Sequence, residues 1–220
     1  SNSTKRDFVR YFSCNKKYLG ILNPYKNCFD DSISNTIKSN SKKKSIKYIK
    51  LLYIGGFNLN KNILSLLRMT AWLNKNGQHL IEINLVGEIS KKQMKSIKNK
   101  IDDLSLHNVI FIKGYLTDKE IKDLKYKSDA LIYPSYAEGF GLPILEAISD
   151  GMKVICNDIP VFREVAGETP FYYKNDDEQS FYKAILECID SPQRKLSPYH
   201  LKKYSSHSLD GQIKELLLNA

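Results

Sequence analysis

Residues 130–147 read Ala130-Leu-Ile-Tyr133-Pro134-Ser135-Tyr-Ala-Glu138-Gly139-Phe140-Gly141-Leu142-Pro143-Ile-Leu-Glu146-Ala147. An apolar run stops at a proline, a Gly-x-Gly turn follows, and Pro143 stands where a helix would begin, a position it favours. The stretch therefore predicts strand, loop and helix in that order. The pattern recurs on both sides. Further strands are expected at Tyr48–Ile54, Leu80–Val86, Val109–Ile112, Lys153–Cys156 and Phe171–Tyr173, alongside Ala130–Tyr133. Between them lie apolar residues at helical spacing: Ile63, Leu66, Leu67, Ala71; Met94, Ile97, Ile101, Leu104; and Phe181, Ala184, Ile185, Cys188, Ile189 on one face. Alternation of this length predicts an α/β fold, a doubly wound, Rossmann-like parallel sheet covered on both faces. Ligands in such sheets sit beyond the carboxyl ends of the strands, so function is expected in the post-strand loops.

The loop at 134–143 carries the strongest chemistry. Backbone N–H groups around Phe140, Gly141 and Leu142 would face outward at the positive end of a helix dipole, which suits a pyrophosphate. Glu138 and Glu146 bracket that turn, eight positions apart. A carboxylate accepts two hydrogen bonds from a vicinal diol, so this pairing suits a sugar nucleotide better than a nucleic acid. The plainer alternative is a first-turn Glu stabilised by the dipole beside a surface Glu. After the first strand comes Gly55-Gly56-Phe-Asn-Leu-Asn-Lys61-Asn62. Glycines let backbone approach an anion, and Lys61 offers a point charge, although a Gly-Gly turn with a solvated Lys would look the same. The spacing is not that of a P-loop. The first strand also lacks the G-x-G-x-x-G turn of a dinucleotide-binding domain. Lys113-Gly114-Tyr115-Leu116 by itself reads as an ordinary turn.

Charge narrows the partners. The 220 residues carry a formal +10, yet residues 1–50 hold 12 basic and 3 acidic side chains, while 51–220 hold 22 and 21. A nucleic-acid-binding fold would place its cations on the folded body; here the surplus falls on residues 1–50, which include a polar, aperiodic stretch at 34–45 with Lys42–Lys44 toward its end. No apolar run approaches the roughly 18 residues of a membrane span. The chain opens Ser1-Asn2 with no initiator Met, signal core or cleavage motif, as an excised piece of a longer protein would. Cys14, Cys28, Cys156 and Cys188 fall at irregular spacings and read as reduced thiols, neither a disulfide framework nor a zinc site. His79, His107, His200 and His207 lack acid or metal-spaced partners, Trp72 reads as core, and Arg163-Glu164 reads as a surface pair on a short helix.

Glu138-Gly-Phe-Gly-Leu-Pro-Ile-Leu-Glu146 resembles the E-x7-E motif of the retaining nucleotide-sugar glycosyltransferases of family 4, which have the GT-B fold. Leu85-Val-Gly87, Phe111-Ile-Lys-Gly114-Tyr115-Leu-Thr-Asp118, Ser128-Asp129-Ala-Leu-Ile-Tyr-Pro-Ser135 and Ile159-Pro160-Val-Phe-Arg163-Glu164-Val-Ala-Gly167 are similar to the family's flanking segments. Ser3–Phe12 and Leu19–Pro24 resemble the end of its N-terminal domain. The resemblance implies the C-terminal, donor-binding half of a GT-B enzyme. Residues 1–45 would close the acceptor domain and form the connection, 46–190 would bind the donor, and 191–220 would be helices packing back or toward the missing half. Glu146 would take the ribose, the amides of Gly139, Phe140, Gly141 and Leu142 the diphosphate, and Glu138 the sugar and the charge developing at its anomeric carbon. Lys61 would neutralise the leaving group, so that no metal or other cofactor is needed. Gly55, Gly56 and Gly87 would line the donor, with Tyr115 and Leu116 near the base. The donor would be a UDP-, GDP- or ADP-sugar and the acceptor a glycan or lipid-linked glycan. The full-length protein would be cytoplasmic, with peripheral contact at the inner face of the membrane. Gly56 departs from the family, which often carries an Arg there. A donor-domain-like module without catalysis is the alternative that departure leaves open.

Overall fold

The structure is a computed structural model that describes residues 48–76, 80–197 and 199–200. The segments Ser3–Phe12 and Leu19–Pro24, the polar stretch at 34–45 and the expected tail helices from residue 201 onward lie outside the described residues. So do Cys14, Cys28, His79 and His207.

Among the described residues, six parallel strands form one sheet. They are β1 (Tyr48–Ile54), β2 (Leu80–Val86), β3 (Ile110–Gly114), β4 (Ala130–Tyr133), β5 (Lys153–Asn157) and β6 (Phe171–Tyr173), in the order β3-β2-β1-β4-β5-β6. Helices α1 (Ile63–Asn76), α2 (Lys91–Asp103), α3 (Asp118–Lys127), α4 (Leu142–Ser149), α5 (Pro160–Ala166) and α6 (Glu178–Asp190) connect and follow them. α1 packs beside α2 and α6, and α4 beside α5. This is the doubly wound arrangement, and its strand order reverses between β1 and β4.

The core explains the strand composition. Leu51, Leu52 and Tyr53 of β1 and all four residues of β4 are buried, as expected of central strands covered on both faces. On α1, Ile63, Leu66, Leu67, Met69 and Leu73 are buried, and Trp72 is half-buried at the core's edge. Local signals set the helix starts. Ser90 and Gln93 form a capping box on α2, and Thr117 and Glu120 form one on α3. The Thr117 hydrogen bonds hold the Glu120 carboxyl below its usual range.

Four corrections belong here. β3 runs to Gly114 rather than Ile112, because the register with β2 shifts after Leu85 and pairs Val86 with Gly114. Ile189 is 38% exposed although Phe181, Ala184, Ile185 and Cys188 are buried. Eight residues of helix carry Ile189 about 80° around the axis from Phe181, to the rim of the apolar stripe. The tail was expected to be helical from Pro192, but residues 192–197 are not: Ser191, preceding a proline, is extended at ψ 149°. This segment returns across the body instead, where Leu196 is buried, Gln193 donates to the Met152 carbonyl at 2.8 Å, and the Arg194 guanidinium lies 4.0 Å over the Phe171 ring. His107 does have an acidic neighbour, Asp102 at 3.5 Å, with both side chains more than 60% exposed. Cys156 and Cys188 are buried free thiols, and burial raises both pKa values, that of Cys188 to about 12. No helix among the described residues is long and apolar enough to cross a membrane.

Candidate functional site at the switch point of the sheet

The reversal between β1 and β4 opens a crevice beyond their carboxyl ends, and the loops leaving these two strands carry Lys61 and Glu138. After β1 the chain passes Gly55-Gly56 and makes a single 3-10 turn over Leu59–Lys61, which ends on Asn62 in the left-handed conformation (φ 55°). That turn aims Lys61 at the neighbouring loop. The loop from β4 is tied to it by backbone and side chain: the Tyr136 amide donates to the Asn60 carbonyl, and Asn60 Nδ2 donates to the Ala137 carbonyl, both at 3.0 Å. The result is an ion pair, Lys61 Nζ to Glu138 Oε1 at 2.5 Å, with side chains 16% and 11% exposed. Lys61 Nζ also donates to the Tyr133 hydroxyl at 3.1 Å.

An aromatic floor fixes these loops. Tyr53, the penultimate residue of β1, donates from its hydroxyl to the Gly56 carbonyl at 2.5 Å. Its ring stacks on Tyr133 at 5.9 Å, and Tyr133 meets Phe162 of α5 edge-on at 5.8 Å. Phe162 in turn lies beneath Gly141. Burial first, then the Glu138 charge and a hydrogen bond to it, push the Tyr133 phenol far above its ordinary pKa, so it stays protonated.

Gly141 caps α4 with φ 92°, and no side chain caps that helix. Pro143 stands at its second position and Glu146 at its fifth, half-buried. A Cβ on Gly141 would fall 2.9 Å from the Phe162 ring. Gly141→Ala is therefore expected to lower the unfolding free energy by about 2 kcal/mol, from φ strain and the clash together. A urea titration of the two proteins checks this.

The other expected residues fall as follows. The Gly55 amide donates to the Val86 carbonyl at 3.0 Å, and the Gly87 amide to the Gly114 carbonyl at 2.9 Å. These bonds join the loops of β1, β2 and β3. Gly87, at φ 146°, has no room for a side chain: a Cβ would come 1.9 Å from the Gly55 carbonyl oxygen. Gly56 faces open space. Leu116 packs at the edge of the core, while Tyr115 is 84% exposed. Gly139 is exposed and Phe140 is buried.

Arg163 and Glu164 both lie, partly exposed, on the short helix α5, and Arg163 has partners on either side of that helix. Its guanidinium donates to both Asp158 oxygens (2.7 and 2.9 Å) and to Glu168 (2.7 Å), and lies 3.7 Å over the Tyr172 ring. This holds the Asp158 carboxyl below its usual range and braces the loop after β5. A second brace escaped the sequence as well. Asn62 donates to Asn175, Ser65 to Asp176 at 2.5 Å, and Arg68 to the same Asp176 oxygen at 2.6 Å, which ties the start of α1 to the loop after β6. Polar residues on a helix face and in a loop more than 100 positions away carry no pairing signal, so sequence could not find it. Among the described residues, no three His, Cys, Asp or Glu side chains are placed to share a metal ion.

Comparison with known proteins gives a consistent picture. A family model described as glycosyl transferases group 1 matches residues 34–207. The O-antigen chain mannosyltransferase RfbU of Salmonella typhimurium is 38% identical over 97 residues, 44% of this chain and 28% of that protein. The poly(glycerol-phosphate) alpha-glucosyltransferase of Bacillus subtilis is 39% identical over 69 residues, 31% of this chain and 10% of that protein. Among solved structures, a glycosyltransferase from Rickettsia africae superposes with a TM-score of 0.75 at 20% identity, covering all of this chain and 61% of that one. Anabaena HepE in complex with UDP and glucose gives a TM-score of 0.63 at 21% identity, over 79% of this chain and 49% of that one. The matched stretches thus span less than two thirds of each of these relatives.

Proposed function

The chain belongs to the glycosyl transferases of group 1, and from that premise we propose that it is the donor-binding half of a retaining GT-B enzyme of family 4. The reaction would move a sugar from a UDP-, GDP- or ADP-sugar to a glycan or lipid-linked acceptor, in the synthesis of a cell-surface polysaccharide. Residues 1–45 would then close the acceptor domain and lead into the donor domain, and 191–220 would pack back on it.

The observation that carries this reading is the placing of Lys61 against Glu138 at the β1/β4 switch point, 2.5 Å apart, beside the start of α4. Breaking the bond between the anomeric carbon and the diphosphate oxygen leaves positive charge on the sugar and negative charge on the departing phosphate. Glu138 is the carboxylate positioned for the first and Lys61 the ammonium for the second. The α4 dipole and the backbone of residues 139–142 add to the second, and Glu146 accepts from the ribose hydroxyls. This charge pairing asks for no metal. The relatives named for mannosyl and glucosyl transfer in O-antigen and poly(glycerol-phosphate) chains support the substrate class, and the HepE complex supports a nucleoside diphosphate donor. We place the full-length enzyme in the cytoplasm, at the inner face of the membrane where lipid-linked acceptors are presented.

Calorimetric titration of the chain against UDP, GDP, ADP and their sugars tests the reading. One nucleotide should bind clearly better than the others, and the chain alone should show no transfer without its acceptor-binding half. Failure to bind any of the three would overturn it.

A further inference from the structure

We propose that Tyr133 is a positioning residue for the donor diphosphate: its hydroxyl, on a ring locked between Tyr53 and Phe162, fixes where the Lys61 ammonium stands beside Glu138. The proposal rests on the donor-binding reading above.

A lysine side chain is long and freely rotating, and a lone contact with a carboxylate leaves its ammonium free to sweep around that carboxylate. Here a second contact removes that freedom. Lys61 Nζ meets Glu138 Oε1 at 2.5 Å and the Tyr133 hydroxyl at 3.1 Å, and stands 5.3 Å from the centre of the Tyr133 ring. The ring itself cannot move. It is 1% exposed, stacked on Tyr53 at 5.9 Å, and met edge-on by Phe162 at 5.8 Å.

A phenylalanine would fill the same space, and burying a hydroxyl costs free energy unless it is bonded. The oxygen at this position therefore has a use: it accepts from the Lys61 ammonium and is hydrogen-bonded to the Glu138 carboxylate as well, which sets the phenol between the two charges. Being neutral, the phenol holds Lys61 without cancelling its charge, which stays available to an arriving phosphate. The ring also reaches the rest of the site. Phe162, against its edge, supports Gly141 at the start of α4, and Tyr53, on its face, holds the Gly56 carbonyl. Tyr133 is thus the contact through which the β1 loop, the β4 loop and the α4 turn keep a common register.

The test is Tyr133→Phe in the 220-residue chain, titrated with whichever of UDP, GDP and ADP the wild type binds best and with the matching nucleoside monophosphate. A lost hydrogen bond to a charged group should weaken the diphosphate about tenfold, while the monophosphate changes less than about twofold and the unfolding midpoint stays near that of the wild type. Equal diphosphate affinity in the two proteins overturns the proposal. So does a parallel loss of both ligands, which marks a merely structural role. If the wild type binds no nucleoside diphosphate, the donor reading itself falls. Should Tyr133→Phe fail to fold, 3-fluorotyrosine introduced in place of Tyr133 keeps ring and hydroxyl but weakens the oxygen as an acceptor. It should then weaken the diphosphate selectively, and an unchanged preference for diphosphate over monophosphate overturns the proposal.

Discussion

In the full-length enzyme, Glu138→Gln is expected to cut transfer by about 100- to 1000-fold and yet to leave nucleoside diphosphate binding intact or tighter. The two halves of this result have one cause. The Glu138 carboxylate holds Lys61 at 2.5 Å, so a diphosphate drawn to the same ammonium meets that carboxylate as a competitor. The amide of Gln keeps the shape and gives up the charge, and the competition ends. Transfer suffers because the charge that builds at the anomeric carbon no longer faces a carboxylate. Each tenfold in rate is about 1.4 kcal/mol, so the loss asks about 3 to 4 kcal/mol of one preorganised charge in a largely buried setting. Steady-state transfer and calorimetric titration, run on the same protein, separate the two quantities. Unchanged turnover would turn the site into that of a binding module. A parallel loss of turnover and binding would mean that the pair merely supports the loop.

That pair shows where sequence runs out. Tyr48–Ile54, Leu80–Val86, Ala130–Tyr133 and Phe171–Tyr173 are legible to the residue, because apolar runs end at Gly or Pro or at a charged turn and the buried central strands leave no alternation to confuse them. Glu138 and Lys61 are each legible as candidates, one from the Gly-x-Gly turn and the other from the Gly-Gly loop. Their contact is not. The two residues lie 77 positions apart, and they meet only because β1 is hydrogen-bonded to β4 rather than to β3 or β5. Alternation of strand and helix predicts a parallel sheet but not the neighbour of each strand. Tyr53, Tyr133 and Phe162 were hidden for the opposite reason. An aromatic at a strand end or on a buried helix face looks like core, and it is core; only the direction of the two hydroxyls, toward Gly56 and toward Lys61, gives it a second task. The partners of Arg163 were not legible either. Asp158 and Glu168 each lie five positions away, outside the short α5, and reach Arg163 only because the loops at its two ends turn back toward it.

Lys61→Ala is expected to lower nucleoside diphosphate affinity by at least about 30-fold. Truncating one partner of a desolvated, hydrogen-bonded charge pair costs roughly 2 to 5 kcal/mol, and tenfold in affinity is about 1.4 kcal/mol. Nothing nearby in the loop can compensate. In Gly55–Asn62, Lys61 is the lone cation, and Gly56 brings no side chain although a Cβ there would meet no atom within 4 Å. The substitution also strands the Glu138 side chain, 11% exposed and without its ammonium, which should cost stability in the range of about 1 to 3 kcal/mol. A weak titration could therefore reflect a partly unfolded protein rather than a missing contact. Lys61→Ala combined with Glu138→Gln resolves this, because it removes the orphaned charge and leaves the ammonium missing. The double variant should recover most of the lost unfolding free energy in a denaturant titration and none of the lost affinity in a calorimetric one. Recovery of affinity along with stability would show that Lys61 acts on the fold, and near-normal affinity in the single variant would remove it from the diphosphate altogether.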